Sequence, residues 1–157
     1  MKTLEIQVKK SEVYEEVQKL TSYIGSKGMG EDAGSYDRIA AVDADRELLE
    51  QYWSEASSLA ENGLKRWLLE VSDNRLGHHS DLSRSFTATL RMPEGYDSVL
   101  DGSVQSLLTG YFINHIAGRW LGVSSGNAEA SAGYLGEASS LLEGVRRQLY
   151  HKKRPER

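Results

Sequence analysis

The chain of 157 residues contains no cysteine. That absence excludes disulfide bridges, thiolate nucleophiles and cysteine-ligated metals. A long hydrophobic run is missing as well, because Asn114, His115 and Arg119 interrupt the most apolar stretch, residues 110–123. A membrane-spanning helix needs about 20 apolar residues. The first residues show no apolar signal-peptide core, so we expect neither a secretory signal nor insertion into a membrane.

Sequence motifs for catalysis, metal binding and phosphate binding are also missing. In the glycine-rich run GSKGMGEDAG, Lys27 precedes Gly28, and no Ser or Thr follows at the phosphate-loop spacing. His78, His79 and Asp81 lack the helical spacing of zinc ligands, which favours an exposed polar loop. We therefore predict no catalytic residue, no cofactor and no metal site.

One histidine lies on an apolar helical stripe. His115 falls between Tyr111 and Trp120, which predicts a core histidine hydrogen-bonded to the backbone or to a tyrosine hydroxyl. The alternative is an enzyme site around these three residues. A general base at His115 would need a partner, and the sequence does not identify one.

Charge is divided unevenly along the chain. Residues 1–145 carry 13 Lys and Arg against 22 Asp and Glu, whereas residues 146–157 carry six Lys and Arg against Glu156 alone. Such a basic end is typical of contact with nucleic acid or with an acidic protein surface, and also of a solvated tail that follows a helix. The partner-binding residues that we predict are Arg146, Arg147, Lys152, Lys153 and Arg154.

Two segments alternate apolar and polar residues with the period of a half-buried strand, residues 3–9 and 85–92. Because each has one apolar face, we expect them to pair as an antiparallel ribbon packed on helices. Pro93 and Gly95 are expected to end the second strand.

Four segments have apolar residues spaced three and four apart, as amphipathic helices do. The first runs from Ser11 to a stop at Gly25. The second begins at Asp43 or Asp45, whose carboxylates suit a helix start better than a calcium loop, and continues through Trp67, Leu68 and Val71. The third begins at Asp97 or Asp101 and ends at a turn over residues 122–126, and Asn127 caps the fourth.

The expected fold is therefore mainly α within the α+β class. About four helices form an antiparallel bundle-like core that carries a two-stranded ribbon. Residues 1–150 make a single helical domain with a mobile loop at residues 25–36. Small residues in the first half of the fourth helix are expected to allow close packing against a neighbour. Residues 151–157 form a basic C-terminal tail.

Three runs carry a resemblance to known proteins: TSYIGSKGMGEDAGSYDRI (residues 21–39), DADRELLEQYWSEA (residues 43–56) and LYHKKRPER (residues 149–157). With them the chain resembles small uncharacterised proteins encoded by phages and prophages of gut anaerobic bacteria. The resemblance implies a virion structural or assembly protein. It also suggests similarity to head–tail connector and head-completion proteins, which are short, mainly helical and assemble as rings.

The sequence thus favours a non-enzymatic phage structural or assembly protein, with a head–tail connector or completion protein as the specific candidate. Expected partners are further copies of the chain and other virion proteins, in the cytoplasm during assembly and then in the virion. The alternative is a nucleic-acid-binding accessory protein that uses the basic tail.

Overall fold

The computed structural model describes residues 2–27, 45–72, 85–124 and 127–152. A 3-10 turn, Ser98–Leu100, precedes the third helix. In chain order the elements are β1 (Lys2–Lys9), α1 (Lys10–Lys27), α2 (Arg46–Leu64), β2 (Leu68–Ser72), β3 (Ser85–Met92), α3 (Asp101–Ser124) and α4 (Ala128–Tyr150). The mainly helical fold with a small antiparallel sheet is confirmed, and the described part of the chain contains four α-helices.

The sheet has the strand order β1-β3-β2, and both pairings are antiparallel. The predicted pairing of the two alternating segments is confirmed, since Leu4 lies opposite Leu90 and Ile6 opposite Ala88. The expected two-stranded ribbon is nevertheless wrong, because β2 adds a third strand along the other side of β3.

The second helix is shorter than the sequence indicates. It ends at Leu64, where the Trp67 amide donates to the Leu64 carbonyl at 2.9 Å, and the chain then enters β2. Leu64, Trp67, Leu68 and Val71 keep a helical spacing although the last two lie on a strand. The segment becomes a strand because it pairs with β3. The backbone N–H and C=O groups of β3 that do not face β1 form their hydrogen bonds with β2.

The core lies between one face of the sheet and the helices. Phe112 of α3 connects the two layers, with its ring 5.2 Å from Phe86 of β3 and 4.7 Å from Trp53 of α2. Helix α3 contacts α1, α2, α4 and β1. Ten of its residues are buried, and they point in every direction around the helix axis, which is the pattern of a central helix enclosed by others.

Helices α3 and α4 approach each other closely. A methyl group at Gly118 of α3 would lie 3.0 Å from Cγ of Leu135, and the Ser131 hydroxyl donates to the Gly118 carbonyl at 2.8 Å. We expected the small residues of α4 to provide close contact. Of these residues Ala138 is buried, whereas Gly133 and Gly136 face open space, and the closest approach is made possible by Gly118 of α3.

A fully buried ion pair joins the start of α1 to α2. Lys10 Nζ lies 2.8 Å from Glu50 Oε2, and both side chains are at most 1% exposed. The same ammonium group lies 5.4 Å from the centroid of the Trp53 ring. Burial and the neighbouring Glu50 charge raise the pKa of Tyr14 far above its ordinary value, so its phenol stays protonated beside the pair.

The free edge of β1 is covered by a side chain of α3. The amide of Gln105 accepts a hydrogen bond from the Gln7 backbone N–H at 2.9 Å and donates one to the Gln7 carbonyl. The side chain therefore takes the place of a neighbouring strand at this position, and it protects an edge that would otherwise be open to pairing with another chain.

Two predicted caps are confirmed. Asp97 accepts from the Val99 amide in the 3-10 turn before α3, and Asn127 accepts from the Ala130 amide at the start of α4. Asp45 precedes α2 but makes no side-chain capping hydrogen bond, and the predicted start at Ser11 is wrong by one residue, because α1 begins at Lys10.

Two predicted helix ends are wrong by a few residues. Helix α1 passes Gly25 to reach Lys27, and α3 passes Gly122 to reach Ser124. A glycine costs about 1 kcal/mol in a helix, which does not by itself end one.

The predicted mobile loop therefore begins within α1, since residues 25–27 are helical. Its remainder, residues 28–36, lies outside the described residues, as do Asp43, His78, His79 and Asp81. None of the described helices combines the length and apolar character that a bilayer span requires.

Alanine substitutions at two glycines should have opposite effects on stability. Gly118→Ala places a methyl group against Leu135 and should destabilise the fold by about 1–3 kcal/mol. Gly133→Ala adds a methyl group in open space on an exposed helix, so it should stabilise by up to about 1 kcal/mol. Urea unfolding of both variants measures the difference. Equal effects would contradict the close approach of α3 and α4.

A candidate binding groove between three helices

A groove of about 430 Å³ opens between α2, α3 and α4. Its volume is in the range of about 300–1,000 Å³ that is common for ligand-binding pockets. Charged, polar and apolar side chains all contribute to the walls. They are Glu55, Leu59, Asn62 and Gly63 of α2, Tyr111, His115 and Arg119 of α3, and Leu135, Ser139, Leu142, Glu143 and Arg146 of α4.

A histidine, a carboxylate and a guanidinium meet on one wall of this groove. His115 Nε2 lies 2.8 Å from Glu55 Oε1, and Arg119 Nε lies 3.3 Å from the same oxygen. Because an ionised carboxylate only accepts, the ring donates from Nε2–H and keeps the lone pair of its neutral form on Nδ1. The guanidinium of Arg119 also lies over the Tyr52 ring, 5.3 Å from its centroid.

Burial determines the protonation of this histidine. The side chain of His115 is only 8% exposed, and burial lowers the pKa of its ring below the ordinary value of 6.5. The Glu55 carboxylate acts in the opposite direction, since its charge and hydrogen bond favour the imidazolium. The net direction is downward, so the neutral ring is the dominant form at pH 7.

The opposite wall carries a second ion pair. Arg146 Nη1 lies 3.2 Å from Glu143 Oε2, three residues earlier on α4, and both side chains are about half exposed. A pair of this kind contributes at most about 1 kcal/mol to stability. Its atoms can therefore exchange partners at little cost.

The tyrosine of the groove is anchored rather than reactive. The Tyr111 hydroxyl donates to the Ala56 carbonyl at 2.8 Å, and its ring centroid lies 5.9 Å from that of His115. Burial, assisted by the Glu55 charge, raises the pKa of this phenol well above its ordinary value. Tyr111 therefore remains a neutral hydrogen-bond donor.

The expected burial of His115 is confirmed, but its expected partner is wrong. The ring binds the Glu55 carboxylate instead of a backbone group or a tyrosine hydroxyl. Trp120, the third residue of the alternative enzyme site, is buried in the core and does not line the groove. The sequence did not indicate Glu55, because nothing local couples a carboxylate on α2 to a histidine 60 residues later.

No family model matches the chain, and no curated protein or solved structure proved similar to it. Within the described residues, no three His, Asp or Glu side chains lie close enough together to hold a metal ion.

The predicted basic residues that the structure describes lie in different surroundings. Arg146 lines the groove, whereas Arg147 is exposed at the next position of α4. Lys152 forms a β-bridge with Tyr96 and packs beside Gly95. Lys153 and Arg154 lie outside the described residues.

A second, smaller cavity lies where Lys152 meets the body of the protein. It has a volume of about 230 Å³ and is lined by Arg66, Trp67, Pro93, Leu149, Tyr150 and Lys152. Tyr150 packs edge-on against Trp67 with ring centroids 4.9 Å apart, and the Arg66 guanidinium lies 5.2 Å from the Tyr150 ring centroid. Two cations and two aromatic rings are thus brought together from distant parts of the sequence.

The pH dependence of stability should reveal the buried histidine. Since the native state favours the neutral ring, the unfolded chain binds more protons once the pH falls below about 6.5. The stability contributed by the neutral ring is complete above that pH, and is lost as the pH falls through 6.5 toward the lower native pKa. His115→Gln should remove this part of the pH dependence.

Urea unfolding between about pH 5 and pH 8 measures the effect. His151→Gln is the matched control, because His151 is exposed at the end of α4. Parallel stability curves for the wild type and His115→Gln would show that the ring is not held neutral.

Proposed function

We propose that the chain is a non-enzymatic structural or assembly protein of a phage or prophage particle, acting as a head–tail connector or completion protein. The proposal that the protein is not an enzyme rests on the hydrogen-bond partners of His115 and Tyr111 in the groove. His115 donates to Glu55, and Tyr111 donates to a backbone carbonyl. Within the described residues, no hydroxyl lies within hydrogen-bonding distance of His115, so the groove has no activated nucleophile.

Exposed surface on α4 supports an assembly role. Ala132, Gly133 and Gly136 are exposed, and nothing lies within 4 Å of a methyl group placed at either glycine. A smooth helix face of this kind allows another helix to approach closely. The phage setting is supported by the resemblance of residues 21–39, 43–56 and 149–157 to phage-encoded proteins.

Light scattering of the purified chain tests this proposal. We expect a discrete oligomer, or a discrete complex after co-expression with the proteins encoded beside it. Gly136→Arg adds bulk and charge to the exposed face of α4 and should lower the measured mass. Val99→Arg is the control, because Val99 is 85% exposed on the 3-10 turn before α3. A monomer with and without those neighbours, at low and at high salt, would contradict the proposal.

Nucleic-acid binding is a second candidate, and the smaller cavity is the observation that favours it. Lys152 and Arg66 supply positive charge there, while Tyr150 is 48% exposed and offers a ring surface for stacking. Lys153 and Arg154 follow directly in the sequence. This arrangement suits a phosphate backbone better than the acidic remainder of the chain does.

Charge reversal distinguishes this second candidate. We expect the affinity for duplex DNA to fall steeply with salt and to disappear when Lys152, Lys153 and Arg154 are all changed to Glu. The control is Lys9→Glu with Lys19→Glu, since Lys9 is the last residue of β1, Lys19 lies in the middle of α1, and both side chains are exposed. Fluorescence anisotropy measures binding. Unchanged affinity in the triple variant would eliminate nucleic-acid binding through the tail.

A further inference from the structure

The two arginines of the groove hold more hydrogen-bond donors than their carboxylate partners use. A guanidinium carries five N–H donors, and a carboxylate can accept two of them side by side. Arg119 meets Glu55 through Nε alone, and Arg146 meets Glu143 through Nη1 alone. Neither pair is bidentate. The Nε of Arg146 is buried and has no hydrogen-bond acceptor among the described residues.

Each carboxylate of the groove makes its contacts through one oxygen. Glu55 Oε1 accepts from His115 and forms the ion pair with Arg119, and Glu143 Oε2 accepts from Arg146. The four charges of the groove sum to zero, but each arginine contacts its carboxylate through only one of its nitrogen atoms. An incoming group that brings acceptors and negative charge would bind to the remaining donors.

The exposure of the two arginines and the shape of the groove are suited to binding such a group. The side chains of Arg119 and Arg146 are 45% and 41% exposed, so solutes reach both guanidinium groups. They project from α3 and α4, on opposite walls of a cavity of about 430 Å³. Leu59, Leu135 and Leu142 provide an apolar lining beside them, and Asn62 and Ser139 add neutral polar groups.

We infer that the groove is a binding site for a carboxylate attached to an apolar body, held between Arg119 and Arg146. The carboxylate would accept charge-assisted hydrogen bonds from the two guanidinium groups, while its apolar part covers the leucines. Glu143 is already paired with Arg146, so binding includes an exchange of one carboxylate for another. This activity does not depend on whether the chain assembles into a particle.

Two probes distinguish the two sources of such a carboxylate. Phenylacetate represents a free organic acid, and the peptide acetyl-Leu-Glu-Leu amide represents an acidic side chain of a protein segment. Phenylacetamide and acetyl-Leu-Gln-Leu amide are their uncharged counterparts. Calorimetry gives the affinity of the intact chain for each, and the NMR signals of the His115 ring report whether the probe occupies the groove.

Four variants make the test specific. Arg119→Gln and Arg146→Gln should each weaken binding about tenfold or more, because each removes a charged donor. Arg147→Gln is the matched control for Arg146→Gln, since Arg147 is exposed outside the groove. Glu143→Gln should strengthen binding, because it removes the competing carboxylate. Circular dichroism confirms that each variant is folded, and a gain in affinity at Glu143→Gln cannot come from damage to the fold.

Binding of phenylacetate alone would identify a small organic acid as the ligand class, and binding of the peptide alone would identify a protein segment. Either result supports the site. Absence of binding for both probes at millimolar concentration would overturn it. Equal affinity for the uncharged counterparts, or an equal loss at Arg147→Gln, would overturn it too.

Discussion

The fold depends on the enclosure of α3. This helix is apolar around most of its circumference, so every side of it must be covered. The sheet, α1, α2 and α4 each cover one side, and Phe112 carries the contact from β3 to α2. On the side of the groove the cover is incomplete at Arg119, whose side chain is 45% exposed, whereas the side chain of His115 is only 8% exposed. The groove lies where these two polar residues of α3 face α2 and α4.

The molecule treats its charges in two different ways. Lys10 and Glu50 are withdrawn from water, and the loss of either partner would leave an uncompensated charge in the core. That pair fixes α2 against the junction of β1 and α1. The pairs at Glu55 and Glu143 remain partly hydrated and are weakly held. The buried pair stabilises the fold, whereas the two partly exposed pairs lie in a groove that solutes can reach.

The sequence predicted those features that depend only on residues close to one another along the chain. The alternation in β1 and β3 and the caps at Asp97 and Asn127 required only neighbouring residues. The third strand was missed because Leu64, Trp67, Leu68 and Val71 keep a helical spacing, and pairing with a distant strand overrides it. The groove was missed for the same reason. A buried histidine was expected, but its carboxylate partner comes from another helix.

Tyr96 brings together two segments that are 150 positions apart. Its carbonyl accepts a hydrogen bond from Lys2 at 3.2 Å, and its backbone pairs with Lys152. The start of β1 and the segment that follows α4 are therefore held at one place, beside the end of β3, so a disturbance at Tyr96 would reach both segments at once.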